Sequence, residues 1–142
     1  MSEENKAVVR RLFDEVLDGG DYAAVDELVT ADYHDHDPAN EEDTRGPEGV
    51  KEEIGGYRAA LPDIRFTIEH QVAEGDRVAT RFSFEGTHQG DLMGVAATGN
   101  PVSLGGIVIH RLADGRIVEG HWNWDTLGLL RQIGAIPVEQ VV

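Results

Sequence analysis

An α+β fold is predicted by a change in hydrophobic rhythm partway along the chain. Up to Leu61 the apolar residues recur three and four apart, the spacing of one helix face. From Ile64 onward they alternate with polar residues, the spacing of a half-buried strand. Turn signals punctuate this second half, with Asp114-Gly115 the strongest hairpin dipeptide. Helices first and an antiparallel meander second put the helices on one face of the sheet. A strongly curved sheet would then enclose a pocket between the two layers. No repeat, linker or low-complexity stretch interrupts the sequence, so residues 1–142 are read as one domain.

The elements follow in order. In the first helix, Glu3 to Asp18, one stripe is formed by Val8, Val9, Leu12, Phe13, Val16 and Leu17. Glu3 and Glu4 suit its positive end, and Gly19-Gly20 stops it. Asp21 is placed to cap a short second helix with Tyr22, Val25, Leu28 and Val29 turned inward. The polar stretch Thr30 to Arg45 reads as a loop. Pro47 suits the first turn of a third helix, where its missing N–H does no harm; Val50, Ile54, Tyr57 and Leu61 share a face, and Pro62 ends it. Ile64, Phe66 and Ile68 mark a first strand, turned by Glu74-Gly75-Asp76. Along the second, Val78, Thr80, Phe82 and Phe84 alternate with Ala79, Arg81, Ser83 and Glu85. Val102 to Leu112 forms a third strand and Arg116 to Asp125 a fourth, before a terminal helix, Leu127 to Gln132, stopped by Gly134.

Composition narrows the function. The 142 residues carry 27 acidic and 12 basic side chains, a net charge of −15. That charge opposes unaided binding to phosphate backbones and anionic lipid, so neither nucleic acid nor membrane is an expected partner. The absence of cysteine removes thiol nucleophiles, Cys-ligated zinc, iron–sulfur clusters and disulfides. Without a membrane-length apolar run or a charged-then-apolar leader, a cytoplasmic location is expected. No glycine loop has the setting and lysine of a phosphate cradle, and no GxSxG elbow is present. Only Lys6 and Lys51 are lysines, which with the acidic excess fits either a high-salt host or a GC-rich coding bias.

The densest candidate chemistry is Tyr33-His34-Asp35-His36-Asp37-Pro38, after the second helix. His34 and His36 lie two apart and share a face of an extended chain. With the intervening aspartate they could hold a divalent metal, or act as acid and base near neutral pH. No third ligand stands at a zinc-like spacing, so no metal is expected. The group is read either as the rim of a pocket or as a solvated, capping loop. Arg81 would hold a carboxylate or polarise a carbonyl if it faced a pocket, and is otherwise a solvated side chain. His88, in Gly86-Thr87-His88-Gln89-Gly90, is a pocket rim or a turn residue, and His110 alternates with Val108 on the third strand. On the fourth, Ile117, Glu119, His121, Asn123 and Asp125 share one side, while Val118, Trp122 and Trp124 share the other. The tryptophan side is the expected apolar wall; a one-residue bulge would move His121 or Asn123 inward. Asp125 reads both as the N-cap of the terminal helix and as an ionised catalytic carboxylate.

Several of these stretches resemble the SnoaL-like polyketide cyclase (ester cyclase) family of the nuclear transport factor-like superfamily. They are Glu74-Gly75-Asp76-Arg77-Val78, Gly86 to Gly90 with Met93-Gly94, Asp114 to Glu119, and above all the run Trp124 to Gly134. The resemblance spans nearly the whole chain. It implies a cone-like α+β barrel, in which a strongly curved antiparallel sheet is closed by the helices around an apolar pocket, usually as a homodimer. It also implies an intramolecular aldol condensation on a polyketide ester without metal, nucleotide or other cofactor. Carried over through Gln132-Ile133-Gly134, the family's catalytic aspartate falls on Trp122 and its supporting histidine and glutamine on Val108 and Gly106. The polar residue after the second helix falls near Asp35 or His36, and Asp125 matches a second family aspartate. A more distant resemblance to the ketosteroid isomerases puts their proton-abstracting aspartate on Asp37 and their oxyanion-donating tyrosine on Phe13, which has no proton to donate.

The sequence thus predicts a cofactor-free acid–base enzyme of polyketide or ester cyclase type, acting on a small apolar carbonyl compound. Asp125 or His36 is the expected base, and His88, His110 and Arg81 are the expected oxyanion donors. Tyr33, His34, Asp37, His121, Trp122 and Trp124 are expected around the substrate. The alternatives are a non-catalytic small-molecule-binding or accessory dimer on the same fold, and a ketosteroid-isomerase-like isomerase. Among the carboxylates, Asp35, Asp37 and Asp125 are functional candidates and the rest are assigned to the surface.

Overall fold

The N-terminal apolar stripe folds as a helix but changes its winding on the way. In a computed structural model that describes residues 2–136, α1 (Ser2–Arg11) runs into a π-helical stretch, Leu12–Asp18. The wider winding lets Leu12, Phe13, Val16 and Leu17 all be buried. A 3-10 turn, Tyr22–Ala24, leads into α2 (Val25–Leu28).

The largest departure from expectation comes next. The stretch Thr30 to Arg45, read as a loop, contains most of strand β1 (Val29–His36) and the short β2 (Thr44–Arg45). Its inward side chains include Tyr33 and Asp35, and its outward ones are His34 and His36, so it carries no apolar alternation to reveal it. Helix α3 (Gly46–Ala60) follows with Pro47 in its first turn. The meander is as expected: β3 (Arg65–Glu74), β4 (Arg77–Thr87), β5 (Pro101–Ala113) and β6 (Arg116–Trp124). Helix α4 (Thr126–Gln132) closes the described chain.

Among the described residues, six strands form one sheet in the order β2-β1-β6-β5-β4-β3. β1 runs parallel to β6 while every other neighbouring pair is antiparallel. The expected strongly curved, cone-like antiparallel barrel is therefore corrected. The sheet is mixed and open, ending at β2 on one side and β3 on the other, with no pairing between them to close it. What covers its inner face is helix, not strand: the N-terminal helical arm and α3 bury Val9, Phe13, Val16, Val50 and Ile54 against Phe82, Val108 and Ile117.

A bulge sets which side chains of β6 point inward. Arg111 of β5 faces Glu119, but Leu112 faces Ile117, leaving Val118 as the extra residue. Ile117, expected on the side of Glu119, is turned into the core and is fully buried. The bulge lies before His121 and Asn123, so they stay outward while Gly120, Trp122 and Trp124 face the helices. Among the described residues, no helix is long and apolar enough to cross a membrane.

Candidate active site

Between the inner face of the sheet and the helices lies a cavity of ≈ 90 Å³. Most of its wall is apolar, with Leu12 and Leu17 from the π-helical stretch, Ile54 from α3, and Phe66, Phe82 and Phe84 from β3 and β4. Its polar groups come from both sides, from β1 and the residues just after it, and from α3. Tyr33 and Asp35 of β1, with Asp37 just beyond, face Trp122 and Trp124 of β6, while Glu53, Tyr57 and Arg58 reach in from α3.

Asp35 is the unusual member. Its side chain is 6 % exposed, and its Oδ1 has no hydrogen-bond partner. Burial pushes its carboxyl up to about 8, and the nearby charge of Glu53 adds to the shift; the Tyr33 hydroxyl and the Trp122 indole draw it part of the way back. Trp122 Nε1 is also buried without a partner. Burial and the neighbouring Asp35 together hold the Tyr33 phenol well above its ordinary range. Gly120 permits this arrangement. A Cβ there would come within 2.6 Å of Asp35 Oδ1 and 2.9 Å of Tyr33 Oη, so only a glycine lets both groups settle onto β6.

The other two carboxylates are held more firmly. Trp124 Nε1 donates to Asp37 Oδ2 at 2.9 Å, and the Ala39 amide donates to Oδ1 at 2.9 Å. Glu53 accepts from Thr44 Oγ1 at 3.2 Å and from the Asn40 amide, while burial pushes its carboxyl up. Burial, Glu53 and Asp37 likewise raise the Tyr57 phenol. Arg58 turns its guanidinium to the carbonyls of Leu17 and Asp18, both at 3.0 Å, and so ties α3 to the end of the π-helical stretch.

The SnoaL-like polyketide cyclase model matches residues 7–133, which takes in the cavity and every strand of the sheet. The chain belongs to the SnoaL-like polyketide cyclase family. Within it, the chain is 32% identical over 102 residues to aklanonic acid methyl ester cyclase DnrD of Streptomyces peucetius, covering 70% of this chain and 67% of that protein. A crystal structure from Jannaschia sp. CCS1, described as a SnoaL-like polyketide cyclase, superposes with a TM-score of 0.87 at 25% identity, over 96% of this chain and 95% of that one. TsrD from Streptomyces laurentii superposes with a TM-score of 0.80 at 32% identity, over 92% of this chain and 97% of that one. Membership supports a cyclase- or isomerase-type enzyme acting on a small organic molecule.

In this SnoaL-like chain the residues singled out in the sequence fall in separate places. Tyr33, Asp37, Trp122 and Trp124 line the cavity. His34, His36 and His121 lie on the outer face of the same two strands, because they alternate with the inward residues. Arg81 is exposed, as its solvated reading has it. None of the five groups expected as base or oxyanion donor (Asp125, His36, His88, His110 and Arg81) lines the cavity. His36 bonds Glu119 on the outer face, with Nε2 and Oε2 2.8 Å apart. His110 lies fully buried, edge-on to Trp122 with centroids 5.6 Å apart. Burial lowers its imidazole to about 3, so it is neutral, and neither ring nitrogen has a partner. His88 Nδ1 pairs with Thr98 Oγ1 at 2.9 Å and accepts from the Thr98 amide at 3.3 Å, which orders the loop after β4. Asp125 is the α4 cap, accepting from the Gly128 amide at 2.8 Å.

Glu53, Tyr57 and Arg58 are site residues that sequence reasoning misses, and Asp35 is a candidate to which it gives no definite role. The signal for Asp35 is present in its period of two with Tyr33 and Asp37, opposite to His34 and His36. Tyr57 is read in the sequence only as part of the apolar face of this helix, and Glu53 and Arg58 carry no signal of their own, since a polar residue beside an apolar helix face is ordinary.

Proposed function

We propose that this chain is an acid–base enzyme of polyketide or ester cyclase type, in which Asp35 moves the proton of a small apolar carbonyl compound held in the cavity. The observation that carries the reading is the buried Asp35 carboxyl, its Oδ1 without a hydrogen-bond partner, raised to about 8 beside the Trp122 indole and the Tyr33 hydroxyl. Ionised Asp35 takes a proton from the carbon alpha to a carbonyl, and the C–H electron pair becomes an enolate. The enolate carbon bonds to a second carbonyl carbon of the same molecule. Its π pair moves to oxygen, which receives the proton that Asp35 carried. Tyr33 Oη–H and Trp122 Nε1–H are placed to stabilise the oxyanion of each step, and the aromatic wall excludes water. No cofactor enters this reading, in keeping with the family resemblance.

The lining, and the name of DnrD, which specifies a methyl ester, support the substrate class: a small ketone or ester with an apolar body. The same resemblance supports a homodimer, and Ile107 and Ile109, exposed on the outer face of β5, are the apolar area such pairing would cover. A second reading, a non-catalytic binding module, is favoured by the apolar residues Trp122, Val108 and Gly106 at positions that carry polar groups in the family. One experiment separates the two. A panel of small diketones and keto-esters, each carrying two carbonyl groups, is incubated with the wild type and with Asp35→Asn. Turnover that falls about 10²- to 10⁴-fold in the variant supports the enzyme reading. Equal turnover in both removes Asp35 from the chemistry, and a ligand bound tightly but returned unchanged establishes the binding module.

A further inference from the structure

The outer face of β1 and β6 carries a second cluster of side chains that the cavity does not use. Parallel register sets His34 opposite Glu119 and His36 opposite His121. His36 Nε2 lies 2.8 Å from Glu119 Oε2, and the His121 ring stacks on that of His36 with centroids 4.3 Å apart. One ligand atom from each of the three falls within 4.8 Å of the other two. We propose that His36, Glu119 and His121 form a binding site for a divalent transition-metal ion of the zinc, nickel or copper class, with Asp43 as a positioning residue.

Two neutral imidazoles and one carboxylate make a donor set that suits these borderline ions better than magnesium or calcium, which prefer all-oxygen shells. All three donors stand on hydrogen-bonded strands, so the set is organised before the ion arrives. The tautomer of His36 is provided for as well. Its Nδ1 lies 3.3 Å from Asp43 Oδ2, which His34 Nε2 also approaches to 2.7 Å; with an ion bound, a proton kept on Nδ1 would face that carboxylate and leave the Nε2 lone pair to the ion. Glu119 divides its oxygens in the same sense, with Oε1 3.3 Å from Arg111 Nε and Oε2 turned to His36. The net charge of −15 favours a dication over the bare cluster. His34, His36 and Asp43 form a competing set within the same 4.8 Å limit. It needs the lone pair on Nδ1 of His36, and a neutral imidazole has only one lone pair to give, so the two sets exclude each other. Asp43 lies in the connection between β1 and β2, not on a strand, which favours the strand-borne set.

The test uses the full chain without an affinity tag, stripped of metal and titrated with Zn²⁺ and Ni²⁺ by calorimetry. One ion per chain is expected. His121→Ala and Glu119→Gln each weaken binding at least tenfold, and Asp43→Asn weakens it about tenfold through His36. His70→Ala, which removes an exposed histidine on β3, leaves binding unchanged. Circular dichroism of each metal-free variant checks its fold; His121 is exposed, so its alanine variant still decides the matter if Glu119→Gln unfolds. No measurable binding, or wild-type affinity in His121→Ala, overturns the proposal. A loss in His34→Ala greater than that in His121→Ala places the ion on the competing set and overturns the assignment.

Discussion

Replacing Asp35 by asparagine should slow the enzyme and also stabilise the protein, and the second effect should grow with pH. The carboxyl is raised from 3.8 to about 8 by burial. The folded chain therefore keeps a proton that the unfolded chain releases throughout that interval. The stability associated with this group is intact below the lower value and is lost as pH rises towards the upper one. The slope within the window is about 1.4 kcal/mol per pH unit, which sums to about 4 kcal/mol by pH 7 as a ceiling. Water entry and local relaxation reduce this, because buried sites respond with an effective dielectric well above that of dry protein. The asparagine side chain of the Asp35→Asn variant has no proton to lose, so the stability difference between variant and wild type should widen with pH. Between pH 5 and pH 7 the widening should be at most about 3 kcal/mol, and half of that is within reach of urea unfolding followed at a series of pH values. A difference that stays flat from pH 5 to pH 8 would show that Asp35 is an ordinary carboxylate, and the proton-transfer role would lose its basis. A difference that widens while turnover stays at the wild-type level would keep the electrostatics and discard the catalysis.

Three further outcomes are expected. Tyr33→Phe removes one oxyanion donor while keeping the ring, so kcat should fall about 100-fold with little change in Tm; an unchanged kcat would take Tyr33 out of the mechanism. Gly120→Ala puts a methyl group 2.6 Å from Asp35 Oδ1, which should destabilise the fold by about 1–3 kcal/mol and abolish turnover; activity near wild type would show that Asp35 works from another position. Asp125→Ala removes the α4 cap and should cost about 1 kcal/mol in denaturant unfolding while leaving kcat unchanged, whereas a large loss of kcat at full stability would restore Asp125 as a catalytic group.

Wherever burial is one-sided, the sequence was legible. The alternation of Val78, Thr80, Phe82 and Phe84 appears in β4 as written, and the stripe from Val9 to Leu17 is buried as a unit. β1 could not be read in this way, because both of its faces are polar for different reasons: one borders a cavity with Tyr33 and Asp35, the other presents His34 and His36 to solvent. Its parallel partner is more than eighty residues away, a separation no local pattern encodes. The missing strand also accounts for the error about the barrel. A pure meander can be imagined closing on itself, but a strand inserted parallel to β6 and ending in the two-residue β2 leaves the sheet open and mixed. The bulge at Val118 was equally hidden, since one extra residue changes which side chains point inward without changing the composition.

The donors on β6 were hidden by the same cause. His34 and His36 have no third donor at a zinc-like sequence spacing, and Glu119 and His121 reach His36 only because β1 docks beside β6. The register that brings His36 to His121 also brings Asp35 to Gly120, one rung along the same ladder. One pairing therefore sets both faces. Outward, it assembles imidazoles and a carboxylate; inward, it seats a carboxyl over the one residue of β6 that leaves room for it. This also gives a physical reading of the family's aspartate position being occupied by Trp122. A carboxylate on β6 at that point would face Asp35 across the β1–β6 pairing within an apolar enclosure, and two such groups cannot both ionise there. In the proposed mechanism an indole at position 122 instead provides an N–H donor, and the single proton-transfer role passes to Asp35 on the neighbouring strand.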